Sequence, residues 1–246
     1  MTALASLRTL AALLLVASAT VLIGPIVIIL GWLFRWPNLP FQAGILTVRI
    51  ALAIVGVRYV VEGQEYILDR PAVYCVNHTS NVEPPVLFVA LRRLVPKLAI
   101  LYKAELRKLP ILNIGFDLVG FIPVDRGNRE QTTKALDTAI ARLNTGTSFF
   151  VFPEGTRSRT GELLPFRKGA FVMAMRAGAP LVPVAITGAR EAMRKGSSII
   201  RPVTVRLRLG PPIETRGLGD DRRDALVHSV RSEVQRLLAA SDPSVA

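Results

Sequence analysis

The chain has 246 residues, half of them hydrophobic, and a formal net charge of +13. That length suits one α/β domain with a full core plus an additional segment. Its single cysteine, Cys75, excludes an internal disulfide, and two histidines without an H-E-x-x-H pattern exclude the usual zinc spacings, so no metal is expected. The basic excess suits an anionic membrane surface or anionic substrates. Nucleic acid is not expected as a partner, because zinc-finger spacing, a heptad-linked basic helix and an aromatic RNP pattern are all missing.

The first acidic residue is Glu62, and residues 1–61 carry four arginines. Thr9 to Phe34 is uncharged and longer than the ~20 apolar residues that span a bilayer core. Ala17-Ser18-Ala19 resembles a signal-peptidase site, but the apolar run continues past it, which argues against a cleaved signal. Gly24-Pro25 predicts a kink or break in the helix, and Arg35-Trp36-Pro37 supplies interfacial residues at its end. A second apolar stretch, Phe41 to Val57, predicts a shorter helix in the interface or over the domain. Two arrangements fit: a true span followed by an interfacial helix, or a two-helix hairpin dipping into one leaflet. Residues 1–57 thus form a membrane-associated segment, and 58–246 a separate domain.

From residue 58 short apolar runs alternate with helical patterns. Strands are predicted at Tyr59–Val61, Ala72–Val76, Leu98–Leu101, Phe121–Val124, Ser148–Phe152, Leu181–Thr187 and Val203–Leu209. Helices are predicted at Glu83–Arg93, Ile111–Leu118, Arg129–Asn144, Gly169–Ala177 and Asp220–Ala239. The alternation predicts an α/β fold with a mostly parallel central sheet flanked by helices. The polar alternation in Val203–Leu209 suggests an edge or half-covered strand.

Four stretches carry candidate chemistry. In Asn77-His78-Thr79-Ser80-Asn81-Val82-Glu83-Pro84-Pro85, a histidine leaves a buried strand and a carboxylate follows five residues later. Ser80 or Asn81 can cap a helix that Pro84 opens. A carboxylate beside an imidazole orients it and favours its protonated form, the arrangement a general base needs to deprotonate an alcohol. A plain turn histidine beside a solvated helix-start charge is the competing interpretation. A Cys75–His78 nucleophile pair is weak, because thiolate activation needs a more polar setting. Gly120–Gly127 ends a strand on Asp125-Arg126-Gly127, where a guanidinium can hold a phosphate; a surface turn is the alternative. Phe152 to Gly169 places Glu154, Gly155, Thr156, Arg157 and Lys168 in a loop before a helix N-terminus, which offers three ways to hold an anion. Leu181–Gly188 puts Pro183 inside a strand, a sign of a sheet edge or bulge. His228 falls in the last helix and is expected to be structural or solvated. A serine hydrolase elbow and a P-loop are absent.

Together these stretches resemble the glycerolipid acyltransferase family, in particular its 1-acylglycerol-3-phosphate O-acyltransferases. Asn77-His78 through Glu83 is similar to the family's N-H-x4-D block, Gly120–Arg126 to its second block, Phe152–Arg157 to F-P-E-G-T-R, and Val182–Val184 to its V-P-V/I block. The resemblance covers roughly residues 57–210 and departs at Glu83, where the family usually has Asp.

The resemblance implies that His78 is the general base on a lysophospholipid hydroxyl, with Glu83 orienting the ring. The hydroxyl attacks the thioester of acyl-CoA or acyl-carrier protein without a covalent acyl-enzyme and without a cofactor, giving phosphatidic acid. Arg126, Arg157 and Lys168 would hold the acceptor phosphate, while Asn77, Glu154, Gly155, Thr156 and Pro183 shape the pocket. The catalytic domain is expected on the cytoplasmic face of a membrane. Another lysolipid acceptor, such as a lyso-aminolipid, or a catalytically silent lipid-binding protein are the alternatives.

Overall fold

The structure, a computed structural model, describes residues 2–36, 38–108, 113, 115–117, 119–125 and 127–240. Of the helix predicted at Ile111–Leu118, residues 113 and 115–117 are described and helical, and the other four lie outside these residues, as do Pro37 and Arg126.

The chain opens with α1 (Thr2–Ser18), one π-helical turn (Ala19–Ile23) and α2 (Gly24–Leu33), which together form one continuous helix over Ala3–Leu33. The break expected at Gly24-Pro25 does not occur. Proline removes one donor and crowds the preceding turn; here the turn widens instead, and the Gly24 N–H reaches back five residues to the Ala19 carbonyl. After a turn that begins at residues 34–35, α3 (Leu39–Val55) returns and packs on both α1 and α2. Buried Gly31 lets Pro40 approach closely, since an added Cβ would meet the Trp36 carbonyl oxygen at 3.0 Å.

This long helix is apolar on the wrong side for a water-soluble core. Its buried positions are small: Ala5, Thr9, Ala12 and Gly31. Its large side chains face outward, among them Leu13, Leu22, Ile26, Ile29, Leu33 and Trp32, the last 81% exposed. A contiguous apolar surface of this kind marks contact with lipid or a partner. Only this helix is long and apolar enough, among the described residues, to cross a bilayer by length and composition.

The domain that follows is an α/β sandwich around a seven-stranded sheet. Its strands are β1 (Val57–Glu62), β2 (Val73–Val76), β3 (Leu98–Lys103), β4 (Ile122–Val124), β5 (Ser148–Val151), β6 (Leu181–Thr187) and β7 (Val203–Leu209). The spatial order is β1-β7-β6-β2-β5-β3-β4. Strands β2 to β6 run parallel, β7 runs antiparallel to β6, and β1 is parallel to β7. All seven predicted strands are present and the sheet is mostly parallel. The helices are α4 (Glu83–Ala90), α5 (Arg129–Asn144), α6 (Gly169–Ala177), the short α7 (Ala189–Ala192) and α8 (Arg223–Ala239).

The period-two alternation of strand side chains sorts the core into two layers. Tyr74 and Val76 face a cluster completed by α3 and α4, with Leu52, Val55, Val86 and Leu87. Val73 and Cys75 face the opposite cluster, completed by α5, α6 and α8 with Ile140, Phe171 and Val230. Covered on both faces, β2 and β5 are buried throughout, which is why they read as unbroken apolar runs. β7 is not an edge strand: it sits between β1 and β6, although its alternate residues Thr204 and Arg206 are exposed, as its sequence pattern suggests. Pro183 is not at an edge either. Its carbonyl accepts from Gly210 N–H, while Leu181 pairs with Ile213, so one residue on β6 faces two prolines opposite, a bulge.

Candidate active site

The site lies beyond the C-terminal ends of β2, β4 and β5, where open α/β sheets collect their ligands. β2 delivers Asn77 and His78 directly. The Asn77 side-chain amide donates to the Ile186 carbonyl (3.0 Å) and its oxygen accepts from Ile186 N–H (2.7 Å), tying the strand end to β6. The next residue, His78, is then held at a defined height above the sheet.

Glu83 is fully buried and its carboxylate is saturated. One oxygen lies 2.6 Å from His78 Nδ1. The other accepts from Thr79 N–H (2.8 Å), Thr79 Oγ1–H (2.6 Å) and Ser80 N–H (3.0 Å). A buried carboxylate is tolerated when its lone pairs are met in this way. The helix cap expected from Ser80 or Asn81 is not made. α4 starts at Glu83 without a side-chain cap, and the Glu83 carboxylate itself reaches back over the preceding turn. Ser80 Oγ instead accepts from Val82 N–H and donates to the Met193 carbonyl.

His78 is therefore committed at Nδ1, which leaves Nε2 as the ring nitrogen chemically able to exchange a proton. Its ring stacks on Phe152 with centroids 4.0 Å apart, and its side chain is 16% exposed. The competing turn-histidine interpretation does not survive this geometry, because a solvated helix-start carboxylate would not be buried with four donors. Cys75 faces the opposite layer and burial pushes its thiol well up, so the nucleophile alternative has no support. His228 is exposed on α8.

Glu154, at the end of β5, does not line the pocket. It is buried and accepts from His78 N–H (2.6 Å) and Leu164 N–H (3.0 Å), so it fixes the backbone of the histidine. Burial pushes its carboxyl up to about 7 against the opposing pull of the two N–H groups. The folded state thus holds this proton more tightly than the unfolded chain. The stability this gives is fully present below about 4.5 and is lost as pH rises through about 7, amounting to roughly 3 kcal/mol. Thermal melts between pH 5 and 8 are expected to show wild type losing stability relative to Glu154→Gln as pH rises; parallel curves would contradict this.

His78 opens into a cavity of about 1440 Å³. One end is apolar and runs between the N-terminal helices, past Leu13, Val16, Phe41 and Val48. The other end is cationic, with Arg157, Arg167 and Lys195 in its lining. Gly169 and Ala170, the first residues of α6, also line it, so a helix N-terminus faces the same space. Gly155 and Thr156 line it as well, but the Gly155 N–H is taken by the Phe152 carbonyl. Gly155 has φ +72°, and a Cβ there would meet Arg167 Nε at 2.7 Å, so glycine lets this arginine lie across the loop.

Of the residues the sequence singles out, His78, Glu83, Gly155, Thr156 and Arg157 come together here. Lys168 is turned away from the cavity, its ammonium 2.7 Å from Asp224 on α8. Pro183 and Asn77 act on the sheet rather than on the pocket wall. Arg126 lies outside the described residues; its neighbour Asp125 accepts from Gly127 N–H in a tight turn. Sequence reasoning missed Arg167, Lys195 and Lys103, of which Lys103 also reaches the cavity but is paired with Glu105. The run Arg167-Lys168 signals a cation at the loop's end without showing which of the two faces inward.

The Acyltransferase family model matches residues 58–187. The chain is 32% identical over 219 residues to a 1-acyl-sn-glycerol-3-phosphate acyltransferase of Limnanthes douglasii, covering 87% of this chain and 76% of the relative. It is 28% identical over 184 residues to the Saccharomyces cerevisiae protein of the same description, covering 74% and 60%. Its fold matches the crystal structure of the 1-acyl-sn-glycerophosphate (LPA) acyltransferase PlsC from Thermotoga maritima, with a TM-score of 0.81, 27% identity, and coverage of 98% of this chain and 99% of that one. With its seven-stranded sheet, its histidine–carboxylate pair and these relatives, the chain belongs to the acyltransferase family.

Proposed function

We propose that this protein transfers a fatty acyl group from acyl-CoA or acyl-carrier protein to the sn-2 hydroxyl of 1-acylglycerol-3-phosphate, forming phosphatidic acid at a membrane. The observation that carries this reading is the single cavity joining three elements: a base at His78, a cationic end at Arg157 and Arg167, and an apolar end between the membrane-facing helices. A lysophosphatidic acid has the same order of parts: a hydroxyl beside a phosphate at one end and an acyl chain at the other.

In the reaction, His78 Nε2 takes the hydroxyl proton as the oxygen attacks the thioester carbonyl. Glu83 holds Nδ1–H and stabilises the imidazolium that forms. The tetrahedral intermediate collapses, the C–S bond breaks, and the imidazolium returns its proton to the leaving thiolate. No acyl-enzyme, metal or prosthetic group is required; the acyl thioester is a co-substrate. Arg157 and Arg167 fix the phosphate and thereby which hydroxyl faces the base.

The helices favour a hairpin seated in one leaflet. Thr9 is hydrogen-bonded to the Ile200 backbone and Ala12 joins the domain core, which pins the first third of the long helix to the catalytic domain. Large apolar side chains face outward along the whole helix, from Leu4, Leu7 and Leu10 beside the domain to Trp32, Leu33 and Phe34 at its far end, where they can meet the bilayer. A lysolipid can then slide from the leaflet into the apolar end without crossing water. The anionic acceptor and the absence of disulfides favour the cytoplasmic face.

Arg157→Ala tests the acceptor assignment. Removing one charge-assisted phosphate contact, about 1.5–3 kcal/mol, should raise the acceptor KM roughly 10- to 100-fold with little change in donor KM. A donor-selective effect, or efficient acylation of a phosphate-free acceptor in place of lysophosphatidic acid, would contradict the proposal.

A further inference from the structure

Of the three cations at the head end of the cavity, Lys195 belongs to none of the sequence blocks described above. It sits on the 193–202 loop between α7 and β7. That loop is anchored at both ends, by Ser80 Oγ–H donating to the Met193 carbonyl (2.8 Å) and by Ile200 N–H donating to Thr9 Oγ1 (2.9 Å). Lys195 Nζ donates to the Arg157 carbonyl (2.9 Å) and to Thr156 Oγ1 (3.2 Å). An ammonium has three N–H donors, so one remains for a ligand in the cavity that Lys195 lines.

The charge balance at this end is one-sided. Among the described residues, no carboxylate is ion-paired with Arg157, Arg167 or Lys195. The two buried acids nearby, Glu83 and Glu154, are engaged by His78 and by backbone N–H groups. Three cations without a counter-charge exceed what a phosphodiester, at one negative charge, neutralises. A terminal phosphomonoester carries about −1.5 to −2 near neutral pH and presents three terminal oxygens. Arginine forks take oxygens in pairs, and a lysine supplies a point charge for the remaining one.

We propose that Lys195 is the specificity-determining residue that makes the site select acceptors ending in a phosphomonoester over phosphodiester lysolipids. This rests on the assignment of the cationic end to the acceptor phosphate.

The test compares 1-oleoyl lysophosphatidic acid with 1-oleoyl lysophosphatidylglycerol under one acyl donor, using wild type, Lys195→Gln and Lys195→Arg, each checked by thermal melt. Lys195→Gln is expected to raise the monoester KM at least tenfold while changing the diester and donor KM by no more than about twofold, and Lys195→Arg to restore most of the loss. Equal losses on both acceptors, or an unchanged monoester KM, would overturn the proposal and leave the enzyme's function intact. If Lys195→Gln does not fold, Thr156→Val releases the ammonium from one anchor and should raise the monoester KM selectively by about threefold; an unselective effect would overturn the proposal equally. Wild type that acylates neither phosphate-bearing acceptor would sink the underlying functional assignment along with it.

Discussion

His78→Ala is expected to lower turnover by roughly 10³-fold or more, the upper part of the range for a positioned general base. The cause is local. Nε2 is the only ring nitrogen free to accept the hydroxyl proton, because Nδ1 is 2.6 Å from Glu83. Among the described residues no second base replaces it: the cavity's other titratable lining residues, Lys103, Arg157, Arg167, Lys195 and Tyr102, are cations or a phenol. The fold should persist. The Glu83 carboxylate loses one of four hydrogen bonds and keeps three, and a net hydrogen bond contributes about 1 kcal/mol. The expected result is therefore a folded protein that still binds lysolipid and does not turn over. Activity within tenfold of wild type would remove His78 from the mechanism.

Glu83→Gln is expected to cost nearly as much, for a different reason. The amide would keep an oxygen facing Thr79 and Ser80, which donate three bonds there, and so would turn its NH₂ toward His78 Nδ1. That forces the imidazole into the tautomer with hydrogen on Nε2, which cannot act as a base. The corresponding Asp-to-Asn change in a serine-protease triad lowers kcat about 10⁴-fold, and a loss of about 10³- to 10⁴-fold is expected here. Glu83→Asp separates two views of this residue. Backbone and side-chain contacts of 2.6 to 3.0 Å hold the carboxylate at both oxygens, and removing a methylene withdraws it by about 1.5 Å. The site is built around the longer side chain, so Asp should reduce kcat about 10- to 100-fold. Wild-type activity would mean that the start of α4 shifts to follow the shorter residue.

Much of this architecture was legible in the residues. The strands β2, β5 and β6 are apolar runs because both faces of the sheet are covered, and β2 and β5 end on polar blocks that become the site. What was hidden depends on contacts between distant segments. Nothing local distinguishes Arg167 from Lys168, yet the start of α6 turns one into the cavity and the other to Asp224, 56 residues away. Lys195 reaches the site only because β6 and β7 bring the 193–202 loop over Arg157. Pro25 and Pro183 were recognisable as local disturbances, but whether a helix breaks or widens, and whether a strand lies at an edge or bulges, is decided by neighbours that sequence spacing does not reveal.

The histidine–carboxylate pair, the cationic end and the apolar helices all fit the proposed reaction, and product analysis tests it most directly. Protein in lipid bilayers is given 1-acylglycerol-3-phosphate with an isotope-labelled acyl-CoA or acyl-carrier protein, and the lipids are resolved by mass spectrometry. The predicted result is labelled phosphatidic acid, acylated at sn-2, formed by wild type and missing with His78→Ala. No phosphatidic acid with either donor, or equal amounts from wild type and His78→Ala, would contradict it.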